Sequence, residues 1–379
     1  MAAILRRKLP SFPSVPSILL RIRPFSALPE SESEHLPTPD QIDQTPTTDT
    51  KHPLPRLQLS IRSESDPERV AELFLSSKNI YRFYSCRPLF SLTVRKLSRA
   101  RRPDLIRRVL DPFLTDPNSP KSEGFLARIL SLYSSAGMPD AAKEAFCHPS
   151  PFKRSDLSLS ALLSAYVHSG RYDELKSTFE EAASKFNITP GLFAHNILLN
   201  GLCENGEIED ARKVLGEMSK RENDRPEPNI ISYNTVLCGC LKQGEDRLFD
   251  EILKEIEDRN LVPNVVTFNC RIARFCNIGE SFKAEQLLDV MCSQGIQPSV
   301  RTFYNLIHGY CKENKVNLAV KMFQKMKAAK RRSGSDGVSP NADIYNVLVK
   351  NLIEKEQFDD ASWICIEGLA RKILVPLRI

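Results

Sequence analysis

The sequence predicts an all-α fold, a right-handed solenoid of stacked helix-turn-helix units of about 35 residues. Three observations predict it. Two abutting segments, IISYNTVLCGCLKQGEDRLFDEILKEIEDRNLVPN (230–264) and VVTFNCRIARFCNIGESFKAEQLLDVMCSQGIQPS (265–299), are each 35 residues long with the same order of apolar and polar places. Within each, apolar residues fall at i, i+3, i+4 and i+7 twice around a polar turn, the pattern of two antiparallel helices. The frame continues in both directions, and because one helix pair cannot bury its own apolar face, the units must stack on their neighbours.

The first 25 residues are basic and acid-free, with Arg6, Arg7, Lys8, Arg21 and Arg23, and the first acid is Glu30. That composition predicts a mitochondrial transit peptide over 1–25, with Arg23-Pro24-Phe25 as the processing site; a chloroplast address is the competing expectation. Residues 26–64 include LPTPDQIDQTPTTDTKHPLP and hold too little apolar surface to offset the entropy of ordering, so a disordered linker is expected there. Residues 65–122 begin with an N-cap and a first-turn proline at Asp66-Pro67. They continue as a degenerate, basic helical repeat, in which RRPDLIRRVL (101–110) echoes GMPDAAKEAF (137–146).

The solenoid proper is expected over 123–379. Its units are 123–155, 156–191, 192–229, 230–264, 265–299, 300–341 with an insertion around KRRSGSDG, and a last one from Ala342. Gly137, Gly170, Gly206, Gly244 and Gly279 occupy the turn inside successive units, with Asn314 and Glu356 in the same place of the last two. Second helices set a small residue beside large ones, as in Ala211, Val214, Leu215, Met218 and in Ala284, Leu287, Leu288, Met291. Pro190, Pro228, Pro263, Pro298 and Pro340 stop each unit.

Composition excludes several function classes. With 41% apolar residues in 379, the chain can bury a large core, and no window reaches the apolar length of a membrane span. The net charge of +6 resides almost wholly in the five basic residues of the first 25, so nucleic-acid contact must come from local patches. The strongest patch is 82–108, with nine Lys or Arg and the single acid Asp104; Arg99, Arg101 and Arg102 are its candidate phosphate contacts. No C-x-x-C occurs, and none of the six histidines begins a metal-binding motif; neither a metal nor any other cofactor is expected. Cys203, Cys276 and Cys311 share the twelfth place of their units, a core position. Without nucleophile, phosphate-loop or paired-carboxylate motifs, neither an enzyme nor a small-molecule site is expected.

The units V-V-T-F-N…A-x-x-L-L-x-x-M…G-I-x-P-S resemble the pentatricopeptide repeat (PPR) proteins of plant organelles, P-type, over roughly 123–376. The resemblance implies a non-catalytic protein that holds single-stranded RNA in mitochondrial RNA metabolism or translation. The alternative is a structural or assembly component of the mitochondrial ribosome, like the small members of the family, contacting ribosomal RNA and ribosomal proteins in the matrix. The fifth places of successive units are Ser160, Asn196, Asn234, Asn269, Tyr304 and Asn346, and a row of amides can meet a row of unpaired bases. In the family the fifth and last residues jointly select the base while the second clamps it. Carried over, Asn196 with Asn229, Asn234 with Asn264, and Asn269 with Ser299 become pyrimidine readers, with Phe193, Ile231 and Val266 as clamps. The competing expectation is that the fifth-place asparagines cap their helices.

Overall fold

The computed structural model describes residues 53–149, 152–220, 226–332 and 338–371; the expected transit peptide, the linker up to residue 52 and the centre of the insertion in unit 300–341 lie outside them. Every regular element among the described residues is helical. The N-terminal part comprises α1 (Pro53–Ser63), α2 (Pro67–Ser76), a 3-10 turn (Phe83–Ser85), α3 (Arg87–Arg99), α4 (Pro103–Leu110) and α5 (Pro112–Thr115). First helices of the repeats are α6 (Glu123–Ser135), α8 (Asp156–His168), α10 (Leu192–Asn205), α12 (Ile230–Gln243), α14 (Val265–Asn277), α16 (Val300–Lys312) and α18 (Ala342–Glu354). Second helices are α7 (Pro139–Cys147), α9 (Tyr172–Phe186), α11 (Ile208–Ser219), α13 (Asp246–Asp258), α15 (Ser281–Ser293), α17 (Val316–Arg332) and α19 (Phe358–Ala370).

Each first helix packs on the first helix of the next unit, in series from α6 to α18, while each second helix packs on its own partner. This is the solenoid that the repeat predicts. Its turns form as expected: the five turn glycines have positive φ, and Asn314 (φ 60°) and Glu356 (φ 58°) take the same left-handed conformation without glycine's freedom. Arg101 (φ 54°) stands in the place that Gly137 holds one unit later, so the α3–α4 pair is a true, if basic, repeat turn.

In α12 and α16 close approach to the preceding first helix rests on glycine at the tenth place. A Cβ built on Gly239 would lie 2.6 Å from Cys203 Sγ, and one on Gly309 would lie 2.6 Å from Cys276 Sγ. Ala211, Ala284 and Ala319 do the same work on the second helices, all at 0% exposure. Upstream, Phe74, Phe83, Phe90, Phe113 and Phe125 form one cluster of edge-on and tilted rings that joins the degenerate region to the first full unit.

One expectation is corrected. The linker ends earlier than its composition suggested, because 53–63 is helix α1 with Leu57 and Ile61 buried. Leu54, Leu57 and Ile61 follow helical spacing within an otherwise polar stretch, and tertiary contact makes the short helix stable. Lys96 completes it: its ammonium donates to the Ile61 and Arg62 carbonyls at 2.6 and 2.9 Å and to that of Glu64, satisfying the C-terminal end of α1.

Candidate nucleic-acid interface

Construction of the site begins at the helix N-termini. Asn229, Asn264 and Ser299, each the last residue of its unit, cap α12, α14 and α16. Each cap accepts backbone N–H bonds, with Asn264 Oδ1 taking those of Val266 and Thr267 at 2.9 and 3.2 Å. Each belongs to a capping box, its reciprocal partner being the hydroxyl at the third place: Ser232, Thr267 and Thr302. The preceding prolines stand in the extended approach to each cap. So the caps are the last residues of the units; the fifth-place asparagines, expected as competing caps, sit one turn inside the helices.

There the fifth-place amides bridge to the following unit. Ser232 donates to Asn196 Oδ1 at 2.6 Å, Thr267 to Asn234 Oδ1 at 2.8 Å, and Thr302 to Asn269 Oδ1 at 2.6 Å. In the other direction Asn234 Nδ2 donates to Asn264 Oδ1 at 3.0 Å, and Asn269 Nδ2 donates to Ser299 Oγ at 3.2 Å. The structure thus brings together the residue pairs that the sequence analysis coupled, fifth with last, in two units. Beside them Ile231 and Val266 are 37% and 45% exposed, as apolar groups on the same surface, and Phe193 is half-buried. Asn196 and Asn269 are half-buried, whereas Asn234 is only 4% exposed.

The ladder has ends. Upstream, Ser160 is buried with an unbonded hydroxyl and faces a unit whose third residue is Ala194. Downstream, Tyr304 replaces the amide and the next unit has Ile344 at its third place. Tyr304 stacks on His308 with ring centroids 5.8 Å apart and 14° between planes, and Arg301 lies over its ring at 5.6 Å. Burial, then the charges of Lys312 and Arg301, push the His308 pKa down and favour the neutral ring. Three consecutive units therefore carry the amide bonded to the next unit's hydroxyl, and two of them also the bond from the amide to the last residue. From the sequence Ser232 and Thr267, two residues before the fifth-place asparagines, are themselves candidate caps; the structure corrects this, placing them at the third helical position as partners of the caps Asn229 and Asn264, with their hydroxyls reaching the preceding unit.

The basic patch divides. Arg102 is held by Asp104 (2.7 Å) and Glu68 (2.5 Å), Arg108 by Glu68 (3.0 Å) and Arg107 by Glu144 (2.6 Å), and Lys96 caps α1. Arg102 is thus paired with carboxylates rather than presented freely. Arg87, Arg95 and Arg99 lie exposed along one face of α3 at multiples of four residues, and Arg101 is exposed at the turn that follows.

Elsewhere the chemistry is that of a core. Cys203, Cys276 and Cys311 are buried as expected, and burial pushes the Cys276 and Cys311 thiols up to about 11 and about 12. Among the described residues no group of three or more His, Cys, Asp or Glu gathers to hold a metal, and no helix is long and apolar enough to cross a membrane.

Comparison with known proteins agrees with the repeat fold. The sequence pattern of the PPR repeat matches residues 157–185, 186–219 and 294–327, and that of the PPR repeat family matches 228–277 and 263–308. The chain is 32% identical over 171 residues to the small ribosomal subunit protein mS79 (rPPR3b) of Arabidopsis thaliana, 45% of this chain and 43% of that one. It is 34% identical over 163 residues to mS78 (rPPR3a) of the same plant, 42% of this chain and 41% of that one. The chain thus spans less than half the length of these curated relatives. A solved structure of PPR10 in complex with an 18-nt psaJ RNA element shares the fold, with a TM-score of 0.55 and 22% identity over 85% of this chain and 46% of that one.

Proposed function

Since the chain belongs to the pentatricopeptide repeat family, we propose that it is a non-catalytic RNA-binding protein of the mitochondrion that holds a short single-stranded segment along its first helices. The observation that carries this reading is the ladder of Asn196, Asn234 and Asn269, one amide per unit, each tied to the capping box of the next. A rigid row of carboxamides flanked by exposed Ile231 and Val266 offers one polar group per base edge and apolar contact for base faces. Asn229, Asn264 and Ser299 would complete each reader. PPR10, which shares the fold, was solved with an 18-nt RNA element bound, and this supports the same reading.

The test is a titration of wild type, Asn234→Ala and Asn269→Ala against short pyrimidine-only and purine-only RNAs at two salt concentrations. Each substitution should cost on the order of 1 kcal/mol and lower the preference for pyrimidines. Equal affinities for all proteins and both RNAs would remove base reading.

A second reading, a component or assembly factor of the mitochondrial ribosome, is favoured by two observations: the similarity to mS79 and mS78, and the exposed arginines of the degenerate N-terminal repeat. On that reading Arg99 and Arg101 meet RNA phosphates, and Arg102 supports the turn through its ion pairs. Sedimentation of the protein with ribosomal particles, lost on charge reversal at Arg99 and Arg101 and insensitive to Asn269→Ala, would decide for it.

A further inference from the structure

We propose that Ser232, Thr267 and Thr302 are positioning residues that set which end of the reading amide faces the RNA. The inference rests on the base-reading function and deepens it by assigning the polarity of each reader. An asparagine side chain can turn over and exchange its acceptor for its donor at little cost unless its partners forbid it. Here they do. The backbone N–H of Asn264 donates to Thr267 Oγ1 at 3.1 Å, so the hydroxyl oxygen is engaged as an acceptor and its proton must point elsewhere. That proton goes to Asn234 Oδ1 at 2.8 Å. The same relay runs from Ser299 N–H through Thr302 (2.9 Å) to Asn269 Oδ1 (2.6 Å). It runs again from Asn229 N–H through Ser232 (3.2 Å) to Asn196 Oδ1 (2.6 Å).

The unpaired N–H groups of a helix N-terminus thus dictate, through one hydroxyl, that the amide oxygen is turned to the protein. The amide turns Nδ2 to its other side, where in two units one N–H goes to the last residue, Asn264 Oδ1 at 3.0 Å and Ser299 Oγ at 3.2 Å, and the second N–H is the donor offered to a base. Each locked reader therefore offers a donor to an acceptor on a base's Watson-Crick edge, such as O2 or O4 of uracil or O2 and N3 of cytosine, while the preference for pyrimidines over purines belongs to the base reading on which this role rests.

Two contrasts separate this role from simple capping. Ser158 occupies the same third place opposite Ala127, which has no amide, and its hydroxyl turns back to its own cap, donating to the Ser155 carbonyl at 3.0 Å. In the last unit the third place is Ile344, opposite Tyr304, and α18 forms with Asn341 as its cap. The hydroxyl is therefore dispensable for helix formation, and it points across the unit boundary where an amide waits.

The experiment compares Thr302→Val, Thr302→Ser, Asn269→Ala and the double variant Asn269→Ala/Thr302→Val in the full chain, by titration with 12-nucleotide oligouridine and oligoadenosine. Thermal melts verify folding, which Ile344 shows to be compatible with an apolar third residue. The readout is the ratio of affinities for the two RNAs. We expect Thr302→Val to lower the uridine preference by up to about tenfold, as Asn269→Ala does, with no further loss in the double variant. Thr302→Ser retains the hydroxyl and should retain the preference. An undiminished preference in Thr302→Val, or additive losses in the double variant, would overturn the positioning role while leaving base reading intact. A wild type without any preference would instead overturn the reading beneath it.

Discussion

Gly309 and Gly216 are both helical glycines, yet replacing each by alanine should move stability in opposite directions. Alanine in a helix interior is favoured over glycine by about 0.5–1 kcal/mol because less backbone entropy is lost. At Gly216, in α11, the nearest obstruction to a new Cβ is Arg212 Nη1 at 3.9 Å, an ordinary contact with a flexible side chain. The full gain should appear there. At Gly309 the Cβ meets Cys276 Sγ and Ser281 Oγ at 2.6 Å and Cys276 Cβ at 2.7 Å. Both neighbours are buried, so α16 must withdraw from α14 and α15 by about 1 Å to restore van der Waals distance. Such overpacking costs about 1–3 kcal/mol, leaving a net loss of up to about 2.5 kcal/mol. Hydrogen exchange resolved by segment, alongside urea unfolding, measures both. Protection should fall across 265–312 in Gly309→Ala and stay unchanged in α6 and α8. If Gly309→Ala stabilises as much as Gly216→Ala, or loosens α6 as strongly as α16, the close-packed solenoid reasoning fails.

Other perturbations probe other levels. Replacing Ala284, fully buried on α15, by leucine should disturb 230–299 while distant units keep their exchange protection, and uniform loss would contradict neighbour-only stacking. Lys96→Met should raise exchange in α1 without raising it in α8, since it removes the ammonium from three C-terminal carbonyls. Asp156 has its carboxyl pKa raised by burial, against the opposing bond from Gly191 N–H (2.7 Å), so ionisation disfavours the folded state as pH rises. Asp156→Asn should accordingly raise the melting temperature at neutral pH, with the gain shrinking as pH falls through the carboxylate range; a pH-independent difference would refute this. Charge reversal at Arg95 and Arg99 should flatten the salt dependence of binding to any RNA without changing base preference, checked by titration across a salt series.

Architecture was legible from the residues alone: the 35-residue period, the paired helices, the small residues that allow close stacking and the place of every intra-unit turn, down to Asn314 and Glu356. A solenoid is built from local periodicities, and each unit repeats the same physical problem of burying one face on its neighbour. Folding settles what periodicity does not encode. Helix α1 is stable only because Leu57 and Ile61 find a core and Lys96 finds its carbonyls. Arg102, equal to Arg99 in a charge run, is neutralised because folding brings the distant Glu68 to it beside the neighbouring Asp104. At the candidate interface the row of asparagines was readable, but the direction of each amide was not. That direction depends on a hydroxyl 33 or 36 residues away, across a unit boundary, and on the helix N-terminus that orients it. Hydrogen-bond polarity belongs to the assembled neighbours, and no single repeat contains both partners.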